Sequence, residues 1–250
     1  MNTADTLFKL MKKYLLIIFH LCLLSNVAVA EEKTRILFVG NSYTGQIRGT
    51  VTKLFAASPE GKATELEFVT PGGKTLAFHL GNGATTRKIR EGHWDFVVLQ
   101  DQSQTPAVFP KKFEAAAVKL DKLIDASGAK TVFYQTWGRR DGDKANPKLF
   151  PTYESMQKKL SKNYLSAAKR CKARLAPVGD TWSLVRKENP KLGKELYKKD
   201  GSHPSAKGAY LAACVFYATI FEKSPGKIGF TGGLSEDERR VILQALKKAL

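Results

Sequence analysis

Residues 35–40 read Arg-Ile-Leu-Phe-Val-Gly, an apolar run of strand length that no polar position interrupts after the leading arginine. Such a run is typical of a strand buried on both faces, as strands are in parallel sheets. Asn41 and Ser42 follow the terminal glycine. The sequence therefore predicts a central parallel strand with polar side chains at its carboxyl end.

Further strand patterns and helical patterns alternate along the rest of the chain. Strand patterns recur at residues 66–69, 96–99, 131–134 and, weakest of all, 175–178. Helical patterns cover residues 51–57, 111–127, 153–171, 205–221 and 235–250. This alternation predicts an α/β fold, a five-stranded parallel sheet covered by helices on both faces in a three-layer α/β/α sandwich.

The N-terminal residues 1–30 have the parts of an export signal. A basic region that ends at Lys13 precedes an apolar run, residues 14–24. Residues 28–30, Ala-Val-Ala, give the small-x-small pattern of a cleavage site. A signal peptide is the preferred interpretation, and an N-terminal membrane anchor is the alternative.

Removal of this signal would leave one mature domain, residues 31–250. That length can bury a sizeable core. We expect the domain to be exported to the periplasm or secreted, without stable insertion in a membrane. Cys171 and Cys214 remain in it; export permits a disulfide, and two buried free thiols are the alternative.

The chain is strongly basic, with a formal net charge of +18. A basic surface favours acidic partners such as anionic glycans, cell-wall polymers or lipid head groups. Basic residues are spread along the chain, and no nucleic-acid-binding fold signature is present. We therefore expect no nucleic-acid partner.

Asp200 and His203 form a pair that is suited to proton transfer. They lie three residues apart, directly before a predicted helix. Histidine titrates near neutral pH, and a nearby carboxylate can hold its ring in one tautomer. A helix cap and a solvated imidazole are the alternative. Ser42, at the end of the first strand, is in the same way either a nucleophile or the N-cap of the next helix.

Two other polar clusters follow predicted strands. Residues 71–75, Pro-Gly-Gly-Lys-Thr, allow a backbone N–H to approach a substrate, and residues 100–104, Gln-Asp-Gln-Ser-Gln, carry amide donors. A plain turn and polar surface residues after a buried strand are the alternatives. Because ligands bind at the carboxyl ends of the strands in open α/β sheets, one crevice could collect all of these groups.

The order and spacing of these segments resemble the SGNH/GDSL hydrolase superfamily, in its branch with Gly-Asn-Ser in the first block. Residues 40–42 match the first block, Gly73 the second, residues 98–103 the third and residues 200–203 the fifth. The third block departs from the usual Gly-x-Asn-Asp, because Gln102 stands where the asparagine is expected. The resemblance implies a flavodoxin-like sheet.

The resemblance also implies a role for each matching residue. Ser42 would be the nucleophile, His203 its base and Asp200 the group that orients the base. The oxyanion hole would consist of the Ser42 and Gly73 backbone N–H groups and the Gln102 amide. No metal and no cofactor are needed for this chemistry.

The sequence thus predicts an exported serine esterase that acts on O-acyl esters, chiefly O-acetyl esters, on a small molecule or polysaccharide. Tyr43, Trp137 and Arg139 are candidate substrate-binding residues, although Trp137 fits core packing equally well and Arg139 could be a solvated charge. The alternative function is a non-catalytic protein of the same fold that binds a glycan or another polyanion. The oligomeric state is not indicated.

Overall fold

The computed structural model describes residues 33–250, and the predicted signal peptide lies outside them. The strands are β1 (Thr34–Val39), β2 (Thr64–Val69), β3 (Phe96–Leu99), β4 (Lys130–Tyr134) and β5 (Arg174–Ala176). They form a five-stranded sheet in the order β2-β1-β3-β4-β5, and every neighbouring pair is parallel. This order is the flavodoxin-like one, and the predicted fold class is confirmed.

Helices connect the strands and cover both faces of the sheet. They are α1 (Ser42–Ala56), α2 (Leu76–Gly81), α3 (Gly83–Glu91), α4 (Thr105–Val108), α5 (Pro110–Ala126), α6 (Tyr153–Cys171), α7 (Val178–Glu188), α8 (Pro190–Glu195), α9 (Ala206–Phe221) and α10 (Glu236–Ala249). Short 3₁₀ turns lie at Glu60–Ala63 and Pro225–Lys227.

The hydrophobic core has two halves, one on each face of the sheet. Successive side chains of β1 point to opposite faces, so Ile36 and Phe38 pack with α1, α7, α9 and α10, and Leu37 and Val39 pack with α5 and α6. All four side chains are fully buried. A strand covered on both sides needs apolar residues at every buried position, which explains the unbroken apolar run at residues 36–39.

The predicted helix at residues 51–57 was wrong at its start, because α1 begins nine residues earlier at Ser42. Gly45 and Gly49 weaken the helical pattern there. Burial of Tyr43 and Ile47 against the core compensates for them.

The predicted strand at residues 175–178 was wrong at its end. Strand β5 stops at Ala176, Pro177 follows, and Val178 begins α7. The sequence patterns gave no bounds for α7 or for the short helices α2, α3, α4 and α8, although a helical context around His79 and a helical segment after the fifth strand were expected.

Cys171 and Cys214 are both free thiols, the first half-buried and the second buried. The disulfide alternative is therefore not realised in this structure. Of the residues that the structure describes, none belongs to a helix long and apolar enough to cross a membrane.

Candidate active site

The turn that follows β1 places Ser42 at the carboxyl edge of the sheet. The N-cap of α1 is Asn41, whose Oδ1 accepts the backbone N–H of Tyr43 at 3.1 Å. The cap interpretation of Ser42 is therefore wrong, since Asn41 performs that role and leaves the Ser42 hydroxyl free for another partner. Ser42 is the first residue of α1, where helix geometry leaves its own N–H without an intrahelical acceptor.

Ser42, His203 and Asp200 lie in one hydrogen-bonded chain. The Ser42 Oγ is 2.9 Å from the His203 Nε2. The His203 Nδ1 is 2.6 Å from the Asp200 Oδ2. A carboxylate can only accept, so Nδ1 carries the proton and the neutral ring offers Nε2 as an acceptor to the serine hydroxyl. Residues 161 positions apart in the sequence thus meet in one site.

The segment of residues 200–203 is organised by the carboxylate of Asp200. Its Oδ1 accepts the backbone N–H groups of Ser202 at 2.9 Å and His203 at 3.0 Å. Burial acts to raise the pKa of Asp200, but the hydrogen bonds from the His203 ring and from these two N–H groups outweigh it. The pKa of Asp200 therefore lies below its ordinary value. The N-cap of α9 is Ser205, so Asp200 does not cap this helix and its carboxylate binds within the 200–203 segment.

The loop after β2 lies beside the turn that carries Ser42. The Asn41 Nδ2 donates to the carbonyl oxygen of Lys74 at 3.0 Å. The preceding residue, Gly73, has a φ of +68° and is exposed, with open space where a Cβ would lie. A positive φ favours glycine because other residues are strained there. The backbone of the second block thus lies next to Ser42, with an accessible face.

The side chain of Gln102 is bound within its own loop. Its Oε1 accepts the backbone N–H groups of Gln104 at 2.8 Å and Thr105 at 3.1 Å. Its Nε2 donates to the Gln104 Oε1 at 3.3 Å. The amide group that the sequence analysis assigned to an oxyanion hole thus has a weak protein partner, and its role there stays a prediction.

Two buried neighbours of Gln102 connect the loops of the site. The Gln100 Oε1 accepts the backbone N–H of Asn41. The Asp101 Oδ1 accepts the N–H groups of Leu76 at 3.0 Å and Gln102 at 2.6 Å, and its Oδ2 is buried without a hydrogen-bond partner among residues 33–250. Burial raises the pKa of Asp101 to about 6, against the opposing effect of those two hydrogen bonds. Side chains of the third block therefore hold the Ser42 turn and the start of α2 in place by hydrogen bonds to their backbones.

Two of the three candidate substrate-binding residues are buried. Trp137 has no exposed surface, and its ring stacks on those of Tyr43 and Trp182, at centroid distances of 4.9 Å and 4.0 Å. Tyr43 is also buried, and its hydroxyl is 2.7 Å from the Ser202 Oγ. The predictions that these rings line the crevice were therefore wrong, because both rings belong to the packing beneath the 200–203 segment.

Arg139 is half-buried, and both terminal nitrogens of its guanidinium contact serine hydroxyls of the protein. Nη1 donates to the Ser202 Oγ and Nη2 to the Ser103 Oγ, the latter at 3.0 Å. Its proposed substrate contact stays a prediction. Ser202 was given no role of its own from the sequence, and Gln100 was named only as one of the amide donors of residues 100–104; both lie inside the matched blocks.

His79 supports the Ser42 turn from below. It is fully buried, and its Nε2 donates to the carbonyl oxygen of Gly40 at 2.8 Å. Burial lowers the pKa of His79, although the hydrogen bond to Gly40 opposes this effect. Within residues 33–250, no group of three or more His, Cys, Asp or Glu side chains is placed to hold a metal ion.

The comparison with solved structures identifies the family. A structure described as an SGNH hydrolase from Slackia heliotrinireducens is 32% identical to this chain, with a TM-score of 0.64 over 75% of this chain and 99% of that one. The chain belongs to the SGNH/GDSL hydrolase superfamily. The blocks that carried the resemblance in the sequence are the segments that converge at the carboxyl edge of the sheet.

Other solved structures share the fold of the present chain at lower sequence identity. A DUF4886 family protein from Bacteroides uniformis is 16% identical, with a TM-score of 0.73 over 87% of this chain and 94% of its own. An acetyl xylan esterase is 13% identical, with a TM-score of 0.59 over 74% and 99%. No protein-family model and no curated protein matches the sequence.

Proposed function

We propose that this SGNH hydrolase is an exported serine esterase that cleaves O-acyl esters, chiefly O-acetyl esters on carbohydrate. One observation carries the proposal: the Ser42 hydroxyl, the His203 ring and the Asp200 carboxylate form a continuous hydrogen-bonded chain at 2.9 Å and 2.6 Å. A nucleophile, a base within reach and a group that orients the base are what acyl transfer requires.

In the acylation half of the reaction, Ser42 attacks the ester carbonyl carbon and His203 takes the hydroxyl proton on Nε2. Asp200 stabilises the imidazolium that forms, because its carboxylate holds the Nδ1 proton. The tetrahedral intermediate then collapses, and His203 gives its proton to the leaving alcohol. The acyl group remains on the Ser42 oxygen as an ester.

In the deacylation half, a water molecule replaces the alcohol. His203 accepts a proton from the water as its oxygen attacks the acyl carbon, and then returns the proton to Ser42 as the acid leaves. The enzyme is restored with no net change in its protonation. The sequence of steps uses only groups of the protein and water.

The negative charge on the tetrahedral oxygen needs donors that are already in place. The Ser42 N–H, at the first turn of α1, and the Gly73 N–H, in the adjoining loop, are the backbone candidates. The Gln102 amide is the third, and it would have to exchange its 3.3 Å contact with Gln104 for the substrate oxygen.

The choice of a carbohydrate ester rests on the surroundings of the site and on the sequence. The predicted export signal directs the protein to where cell-surface glycans are found, and the net charge of +18 favours an acidic polymer. The fold also occurs in an acetyl xylan esterase, so ester cleavage on a polysaccharide is compatible with it.

Hydrolysis of p-nitrophenyl acetate by the purified protein tests the reaction class. Ser42→Ala should lower the rate about 10⁴-fold or more, since the covalent step is lost. Ser166→Ala, at an exposed serine of α6, is the matched control and should keep the wild-type rate. Equal rates for wild type and Ser42→Ala would exclude the nucleophile. Acetate released from a panel of acetylated polysaccharides would then identify the alcohol.

The second candidate, a non-catalytic polyanion-binding protein, is favoured by the same charge. A fluorophosphonate probe separates the two, because it labels only an activated serine. Absence of label at Ser42 in the folded protein, together with salt-sensitive retention on heparin, would favour the binding protein.

A further inference from the structure

Ser202, one of the two residues between Asp200 and His203, is more deeply buried than either of them. The side chains of Asp200 and His203 are 47% and 28% exposed, whereas Ser202 is buried with 3% exposure. A ring and a carboxylate at the surface are not positioned by packing on all sides. Their placement therefore depends on the backbone of the 200–203 segment.

Ser202 attaches that backbone to the rest of the protein by its main chain and its side chain. Its carbonyl oxygen accepts the Trp137 Nε1–H at 2.9 Å. Its Oγ shares a hydrogen bond with the Tyr43 hydroxyl at 2.7 Å and accepts a second one from Arg139. Tyr43 directly follows Ser42, and Ser202 directly precedes His203. The hydrogen bond between Tyr43 and Ser202 therefore links the chain segment of the nucleophile to the chain segment of the base.

Arg139 connects Ser202 to the loop of the third block. Its Nη1 is on the Ser202 Oγ and its Nη2 is 3.0 Å from the Ser103 Oγ, next to Gln102. No carboxylate among residues 33–250 forms an ion pair with it. The planar guanidinium can bridge two fixed acceptors in a way that a lysine ammonium, on its flexible stem, does less well.

We propose that Arg139 is a positioning residue, which holds His203 against Ser42 by way of Ser202. The inference rests on the proposed esterase function and assigns the guanidinium a role different from binding a substrate carboxylate. Each of its terminal nitrogens already donates to a protein hydroxyl, and its Nε–H is buried away from solvent. Loss of the bridge would loosen the segment that carries the base, although no reacting group has been removed.

Kinetics with p-nitrophenyl acetate, an uncharged ester, distinguish positioning from substrate binding. Arg139→Gln should lower kcat by about 10- to 100-fold, the effect expected of a small misplacement of a catalytic group, with little change in KM. Arg139→Lys should recover part of that loss. Arg170→Gln is the matched control: its exposed guanidinium on α6 binds Glu114 of α5, and kcat should not change.

A double-mutant cycle tests whether Arg139 acts through Ser202. Ser202→Ala should reduce kcat to a similar extent, and the double variant should be no slower than the slower single variant, because both remove the same bridge. Losses that multiply would overturn the inference. So would an unchanged kcat in Arg139→Gln with a raised KM for esters that carry a carboxylate.

A readout independent of turnover separates this inference from the proposed function. The proton on the His203 Nδ1, bonded to Asp200, gives a downfield NMR signal that is assigned by its loss in His203→Gln. Arg139→Gln should shift or broaden this signal, whereas Arg170→Gln should leave it in place. An unchanged signal in folded Arg139→Gln would refute the positioning role, whether or not the wild type hydrolyses esters. Hydrolysis that persists in Ser42→Ala would refute only the esterase mechanism.

Discussion

The side-chain oxygen of Gln100 lies 3.0 Å from the backbone nitrogen of Asn41, and it also accepts the Thr44 hydroxyl at 2.8 Å. Gln100 follows β3, which pairs with β1, and it is fully buried. The turn that presents Ser42 is therefore anchored on the neighbouring strand as well as by its own cap.

Gln100→Leu keeps the approximate volume of the side chain and removes the acceptor. The buried N–H of Asn41 and the Thr44 hydroxyl would lose their partner, so the free energy of unfolding should fall by about 1–3 kcal/mol. Urea denaturation measures this change. Gln46→Leu, at an exposed position of α1, is the control and should remain within about 0.5 kcal/mol of wild type.

Two glycines near Ser42 should respond to alanine in opposite ways. A Cβ on Gly40 would lie 2.3 Å from the Thr44 Oγ1 and 2.5 Å from the Gln100 Oε1, whereas nothing lies within 4 Å of one on Gly49. Gly49→Ala, in the exposed interior of α1, should raise the stability by about 0.5–1 kcal/mol. Gly40→Ala should lower the melting temperature and the esterase rate together; equal melting temperatures for the two variants would contradict this.

Asp101 should give the stability of the protein a specific pH dependence. Its pKa is about 6 in the folded protein against an ordinary 3.8, so the folded state binds the proton more tightly. The resulting stabilisation is complete below about pH 4 and is lost as the pH rises through 6. It amounts to at most about 3 kcal/mol.

Asp101→Asn tests this dependence, because the amide oxygen can still accept the N–H groups of Leu76 and Gln102 but does not titrate. The difference in unfolding free energy, variant minus wild type, should increase as the pH rises from about 4 to about 7. A difference that stays constant over this range would show that the Asp101 proton has no part in stability.

Gln102→Glu separates the two roles open to Gln102. The glutamate keeps an oxygen for the N–H groups of Gln104 and Thr105, and it has no amide donor for an oxyanion. If Gln102 contributes to the oxyanion hole, kcat should fall by about 10²-fold or more, with the melting temperature preserved. A kcat within about threefold of wild type would show that Gln102 only stabilises its loop and does not contribute to the oxyanion hole.

The fold could be predicted from the sequence to a large extent because the central strands β1, β3 and β4 are mostly buried on both faces. The buried part of β1, residues 36–39, must be apolar at every position, and α6 has the bounds that its periodicity indicates. The helices that were missed are short or begin with glycine-containing segments, and α7 follows a proline where a strand seemed to continue. Tertiary burial outweighs the weak local preferences at these positions.

The site was predictable in its residue types and less so in its contacts. Ser42, Asp200 and His203 were identified from block spacing, but the choice of Asn41 as the cap depends on which side-chain oxygen reaches a given N–H. The burial of Trp137 depends likewise on the rings that stack on it. Neither contact can be predicted from sequence periodicity, because each depends on how side chains are arranged in the folded protein.

The sequence by itself determined the parallel sheet, the family and the side chains that reach its carboxyl edge, because hydrophobic periodicity and motif spacing are properties of one continuous chain. Only the tertiary structure decided that Ser42 faces His203, that Trp137 lies in the core and that Arg139 bridges Ser103 and Ser202. Those relations depend on distances of a few ångströms between side chains far apart in the sequence, and packing of the folded core sets them.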